Sequence, residues 1–420
     1  MRHIIIGAGP AGVIAAETIR KLQPSHSITL VGDEAEPPYS RMAIPYLLQG
    51  NIQEAGTYLR KDPKHFEQLR IDRKQGRVKS VQADQKTLTL EDGSVHAFDR
   101  LLIATGSLPV RFPIQGFDGA NVHPCWTLED ARQIMALAKP GAQVVQMGAG
   151  FIGCIIMEAL ATRGVSLTVV EMGDRMVPRM MGPTAGTMIK NWCETKGVTV
   201  ITGAKVDRID HAEGPPSSVH LSTGKSLQAD LVISATGVKP NIGFLDGSGI
   251  ACQTGVLTDA RMQTNVQGIY AAGDCAQAFD GASQTHVVSA IQPNASEQAL
   301  VAARNMAGAT TQLKRVPQIN VLDTLGLISS SFGHWQGVPG GESAEMTDWD
   351  QHRMMGLQFE GDRLIGCNAI GWTDHVGVMR GLVEGEVSLG PWKEWLIKDP
   401  TRLMEAYLAR GQSQEQRSLV

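Results

Sequence analysis

One local pattern occurs twice in this chain, and it restricts the fold more than any other feature. Ile4-Ile5-Ile6 is a β-branched run suited to a short buried strand, and Gly7-Ala8-Gly9-Pro10-Ala11-Gly12 comes directly after it. Val144-Val145-Gln146-Met147 likewise leads into Gly148-Ala149-Gly150-Phe151-Ile152-Gly153. Both are G-x-G-x-x-G turns between a strand and a helix. Gly7 and Gly148 permit the tight turn. Gly9 and Gly150 let a pyrophosphate approach the backbone, and Gly12 and Gly153 let the helix lie close on its strand. The helix starts, at Pro10-Ala11 and Phe151-Ile152, offer N–H groups and a partial positive charge to phosphate.

The elements after each turn repeat as well. Val13 to Lys21 reads as a helix and Ser27 to Val31 as the next strand; the second helix ends near Gly164 and its strand is Ser166 to Glu171. Strands ending in Ala104-Thr105-Gly106 and in Ala235-Thr236-Gly237 close the two copies, with Pro109 and Pro240 just beyond. Two dinucleotide sites are expected, the first an FAD cradle. An acidic residue after the second strand would bond the adenosine ribose there, and Asp33 and Glu34 both qualify. Arg41 is a planar cation suited to clamp phosphate. In the second copy Glu171 stands at the strand end, where a carboxylate accepts ribose hydroxyls and repels a 2′-phosphate, so NADH is expected over NADPH. Arg175, four residues on, reads as a surface residue.

Residues 52–98 read as a small appended β-rich piece with a hairpin at Asp92-Gly93. Ile269 to Asp274 is a short strand ending in Gly273-Asp274, whose carboxylate can hold a polyol chain. Asn294-Ala295-Ser296-Glu297 has the capping-box pattern of a helix reaching about Met306, and its positive end could stabilise charge on a reduced flavin. From Val316 the texture becomes α+β. Strand-like runs lie at Gln318 to Ser331, Met354 to Phe359 and Leu364 to Ile370. Helical patterns lie at Asp374 to Glu384, Trp392 to Ile397 and Pro400 to Arg410. Trp335, Trp349, Trp372, Trp392 and Trp395 fill a core or mark an interface, such as that of a homodimer. The expected organisation is 1–113 and 246–315 for FAD, 114–245 for NAD, and 316–420 as an interface domain.

Composition narrows the function classes. At 420 residues the chain exceeds one compact core. A net charge of -4 argues against nucleic acid as a partner, and no apolar run approaches bilayer length. Residue 4 already belongs to a core strand, so no leader is expected and a cytoplasmic location is. The six cysteines form no C-x-x-C pair, so neither a zinc site nor a dithiol motif is indicated.

Across nearly its whole length the chain resembles the FAD- and NAD-dependent pyridine nucleotide-disulfide oxidoreductases. The residues are both glycine motifs, Pro38-Tyr39-Ser40-Arg41, Ala104-Thr105-Gly106, Thr236-Gly237 and Ala272-Gly273-Asp274. Within that superfamily it is most similar to ferredoxin, rubredoxin and putidaredoxin reductases and to the flavin-binding part of NADH-dependent nitrite reductases. The resemblance implies that Arg41 contacts FAD phosphates, Val78 packs near adenine, Asp274 binds the ribityl chain, and NADH gives hydride to flavin N5. It implies a flavoprotein oxidoreductase that passes electrons to a redox partner protein. A small acceptor such as quinone or oxygen, or a non-enzymatic NADH-sensing flavoprotein, are the alternatives. Met42 stands where thiol-using relatives carry a cysteine, and a thioether forms no thiolate. Ile155 and Tyr46 stand where many relatives carry a paired glutamate and lysine, and Met157 replaces a small residue in the second fingerprint helix, which is expected to sit slightly off its sheet. Glu158 is a poor substitute for the missing acid, a helix rotation away.

Overall fold

The computed structural model describes residues 1–212, 214–280, 284–314, 316 and 319–418. The chain divides into two compact units. One comprises Met1–Val110, Trp126–Leu128 and Val238–Val316; the other comprises Arg111–Cys125, Glu129–Gly237 and Pro317–Val420.

In the first unit five parallel strands lie in the order Ile269–Ala271, Arg100–Ile103, Arg2–Ile6, Ser27–Gly32, Asp72–Gln75. The fingerprint strand is central, so both its faces are covered and Ile4, Ile5 and Ile6 are at most 4% exposed. Each such isoleucine contributes roughly 1.5–3 kcal/mol by burial. The fingerprint helix Pro10–Leu22 packs on Gln292–Met306.

The outer strand Asp72–Gln75 corrects the reading of 52–98 as an appendage, because it belongs to the nucleotide sheet itself. Its sequence is wholly polar and shows no alternation. Edge position explains the polarity. Arg20, buried at the C-terminal end of the fingerprint helix, explains the attachment. Its guanidinium donates to the carbonyls of Leu69, Arg70, Pro24 and His26 at 2.6–2.8 Å. The chain entering the edge strand is therefore tied to the helix end, where a cation also suits the helix dipole.

In the second unit five parallel strands take the order Thr199–Thr202, Ser166–Glu171, Gln143–Met147, Leu231–Ser234, Val122–Pro124. Each nucleotide unit also carries a three-stranded antiparallel meander. These are Val78–Gln82, Thr87–Leu90, Val95–Ala97 in the first and Val206–Ala212, Gly214–Leu221, Ser226–Ala229 in the second. The repetition thus extends well beyond the glycine turns.

The C-terminal part is a five-stranded antiparallel sheet in the order Ile319–Thr324, Leu327–Gly333, Arg363–Ile370, Arg353–Glu360, Glu342–Asp348. The run expected from Gln318 to Ser331 is a hairpin, broken at Leu325-Gly326; Gln318 itself lies outside the described residues. Glu342–Asp348 is a strand that its charged, poorly alternating sequence hides. Helices Val376–Glu384, Trp392–Lys398 and Leu403–Ser418 come after the sheet, sharing a core with Phe332, Leu357, Phe359 and Cys367. The opposite face of the sheet is mixed, with Leu322, Met354 and Ile370 buried beside Ser331 and Asn368. There Asn368 donates to the Met180 carbonyl at 3.1 Å, and the Trp192 indole donates to the carbonyls of Thr324 and Leu325 at 3.1 Å. Trp372 and Trp392 pack against the core, whereas Trp349 and Trp395 are exposed. Near the end of the first of these helices Glu384 pairs with Arg380, and Glu386 pairs with Arg363.

Candidate functional site

The first cradle is built by contact. Gly7 has φ +110, and a Cβ on it would lie 2.0 Å from the Ala104 carbonyl oxygen. A Cβ on Gly12 would lie 1.9 Å from the Gly7 carbonyl oxygen. Neither position admits a side chain. Gly9 differs, for a Cβ there would meet nothing within 4 Å. The turn therefore opens at Gly9 onto the helix start, where Pro10 occupies a position whose missing N–H costs nothing.

Around that hollow runs a chain of polar contacts. Glu34 accepts from the Tyr39 hydroxyl and from Arg41 Nη2, the latter at 2.8 Å. Arg41 lies over the indole of Trp126, 5.1 Å from the ring centroid. Trp126 Nε1 donates to the Ser107 carbonyl at 2.9 Å, and Ser107 Oγ donates to Asp274 at 2.8 Å. Burial pushes the Asp274 carboxyl up, while Ser107 and the Arg41 charge pull it down. Asp33 turns aside to an exposed pair with Arg77 at 3.1 Å. Thr105 Oγ1 donates to the Asn241 carbonyl at 2.7 Å, Gly106 has φ +64, and the Gly273 N–H is held by Gln298 at 2.8 Å. Val78 is buried in the same core as the fingerprint strand.

Trp126 is the residue sequence reasoning missed. It stands far from Arg41 in the chain, and nothing local marks it. The capping box is a correction as well. The helix starts at Gln292 with Pro293 in its first turn, and Ile291 occupies the cap position. Asn294 is buried inside that turn, where its amide donates to Ser289 Oγ at 2.6 Å. Met42 and Tyr46 are exposed, at 51% and 56%.

The second cradle repeats the design more loosely. Gly148 has φ +98, and a Cβ on it would lie 2.5 Å from the Ala235 carbonyl oxygen; one on Gly153 would lie 2.5 Å from that of Gly148. Gly150 opens onto empty space, as Gly9 does. Phe151 and Ile152 form the first turn of the helix Phe151–Thr162. The Glu171 carboxylate accepts the N–H groups of Ala149 and Gly173, both at 2.7 Å, and so is aimed across the turn. Thr236 Oγ1 meets Ser234 Oγ at 3.2 Å, and Gly237 has φ +104. Arg175 is not a surface residue; its side chain is only 20% exposed and donates to the Met181 carbonyl at 3.0 Å. Glu158 lies beside the C-terminal hairpin. Burial pushes its carboxyl up, as does Asp323. Among the described residues no group of His, Cys, Asp and Glu is arranged to hold a metal ion.

A hollow lined by unpaired helix N–H groups and closed to any side chain except at its open glycine fits a pyrophosphate. Two such hollows, each with a carboxylate at hand, fit a pair of dinucleotides, FAD and NAD(H). The class is a flavin- and nicotinamide-dependent oxidoreductase. Residues 1–304 match the pyridine nucleotide-disulphide oxidoreductase family, and the chain belongs to it. It is 31% identical over 402 residues to the epsilon subunit of NADH-dependent phenylglyoxylate dehydrogenase from Aromatoleum evansii, covering 95% of each chain. It is 32% identical to an NADH oxidase from Methanocaldococcus jannaschii, covering 76% of this chain and 72% of that one. A putidaredoxin reductase in covalent complex with putidaredoxin shares the fold, with a TM-score of 0.89 over 98% of this chain and 99% of that one at 24% identity.

Proposed function

We propose that this protein is an electron-transfer flavoprotein linking NADH to a partner protein with a one-electron centre. The chemistry that bound FAD would supply is acceptance of hydride from NADH and release of electrons singly. The chain's own residues bind and orient. The N–H groups after Gly9 and the Arg41 guanidinium counter the FAD phosphates. Glu34 is the ribose ligand the geometry favours over Asp33, because Tyr39 and Arg41 fix it beside the hollow. Val78 packs near adenine, and Asp274, steadied by Ser107, accepts ribityl hydroxyls. Gly150, the helix start at Phe151-Ile152, and Glu171 hold the ADP half of NADH. In domain terms, 1–113 with 246–315 seats FAD, 114–245 seats NADH and 316–420 is the interface domain.

The observation that supports the partner reading is the match over 95% of both chains to a protein named as one subunit of an NADH-dependent dehydrogenase, which works in company with other chains. The sulfur chemistry agrees. Met42 is exposed beside the phosphate clamp and offers no thiolate. Burial raises the thiols of Cys125, Cys154, Cys193, Cys275 and Cys367. All six cysteines are unpaired, which fits a reducing, cytoplasmic location, and no described helix is long and apolar enough to cross a membrane. The test is to reduce the FAD-loaded protein with NADH and offer ferredoxin- or rubredoxin-type proteins, quinones and oxygen in parallel. Faster turnover with a one-electron protein is expected. Efficient turnover with quinone or oxygen alone would replace the partner with a small acceptor.

A further inference from the structure

Gln146 is an amide where an aliphatic side chain would be ordinary. It is fully buried in the central strand of the second sheet, two residues before Gly148. The residue in the same place before Gly7 is Ile5, equally buried. Gln146 Nε2 donates to the carbonyl of Gly148 at 2.9 Å and to that of Gly153 at 3.0 Å. These are the first and third glycines of the fingerprint. Both acceptors are carbonyls, so only the nitrogen can face them. Gln146 Oε1 is buried with no hydrogen-bond partner. Such an orphan disfavours the fold, and a hydrocarbon of similar size would remove it.

The comparison with the first fingerprint shows what the amide does. There the strand, turn and helix are pressed together until Cβ positions fall 1.9–2.0 Å from carbonyl oxygens. In the second the same separations are 2.5 Å, and a Cβ on Gly153 would also stand 3.0 Å from Gln146 Nε2. The wider gap admits the amide. Two hydrogen bonds then hold the two glycine carbonyls, where the first fingerprint relies on contact. We propose that Gln146 is a positioning residue for NADH: it fixes the turn whose N–H groups receive the pyrophosphate, without touching the cofactor. This rests on the reading of the second fingerprint as the NAD(H) site.

ADP-ribose, which lacks nicotinamide, probes that turn without any redox step. Binding to the FAD-loaded protein is measured by calorimetry for wild type, Gln146→Met and Gln146→Glu. Met keeps the volume and removes the donors. The expected result is roughly five- to twentyfold weaker ADP-ribose binding by Gln146→Met, the loss of one or two hydrogen bonds. KM for NADH should rise by the same factor, with kcat at saturating NADH and FAD content close to wild type. A protonated carboxyl at Gln146→Glu can donate one hydrogen bond, so its affinity should fall as pH rises through the range where wild type stays flat. Undiminished affinity in a folded Gln146→Met overturns the proposal. If that variant does not fold, Gln146→Glu decides alone: wild-type affinity at every pH overturns it. A wild type that binds no ADP-ribose removes the site reading itself, which is a different failure.

Discussion

The two glycine turns share a pattern but not a fit. In the first, two glycines stand so close to backbone carbonyls that any side chain would overlap them. In the second the approach is about half an ångström wider, and a buried amide occupies the slack. The neighbouring residues differ in the same sense. Glu34, Arg41, Trp126, Ser107 and Asp274 form a continuous set around the first hollow, whereas the second relies on Glu171 and two backbone N–H groups. That difference fits the roles proposed for the two turns. A pressed and girdled turn suits a cofactor that stays, and a looser turn suits one that arrives and leaves at every turnover.

Glycine substitutions should show that contrast most strongly. Gly12→Ala must displace backbone, so it should yield protein with little or no FAD. Gly153→Ala has more room and should keep FAD while weakening NADH binding. Flavin-to-protein absorbance ratios and ADP-ribose affinities check both, and equal FAD loss in the two would erase the distinction. Next in size is the carboxylate of the second turn. Glu171→Ala should shrink the preference for NADH over NADPH by roughly two orders of magnitude in kcat/KM, because a charge mismatch with a 2′-phosphate is worth a few kcal/mol. An unchanged ratio would show that discrimination lies elsewhere.

A smaller effect is expected at the girdle. Trp126→Leu removes the aromatic face under Arg41, an interaction worth about 0.5–2 kcal/mol, so FAD should dissociate several-fold faster. Trp126→Phe should recover part of the loss. The least effect concerns stability alone. His3 is buried against His26, and burial, then the neighbouring ring, lowers its pKa from 6.5 to about 4. A depressed pKa favours the neutral ring in the fold. Its contribution is complete above pH 6.5 and is lost as pH falls toward about 4. Thermal melts across that range should lose stability on acidification, and His3→Gln should flatten the dependence.

The glycine turns were legible in the sequence because their requirements are local: a positive φ at Gly7 and Gly148, and the close approach of the first glycine's carbonyl at Gly12 and Gly153, arise within each turn. The edge strand Asp72–Gln75 was not, since Arg20 holds its approach from a distant helix end. Trp126 was hidden for the same reason, its partners being Arg41 and Ser107. The capping-box reading of Asn294 failed because Pro293 starts the helix earlier and Ser289 takes the amide.

The most direct test of the two-regime account is anaerobic rapid mixing of gel-filtered protein with NADH and, separately, NADPH, monitored at the flavin absorbance. The account predicts that FAD survives gel filtration with the protein, that NADH bleaches it, and that NADPH does so far more slowly. FMN in place of FAD, flavin lost on the column, or equal bleaching by both nucleotides would contradict it.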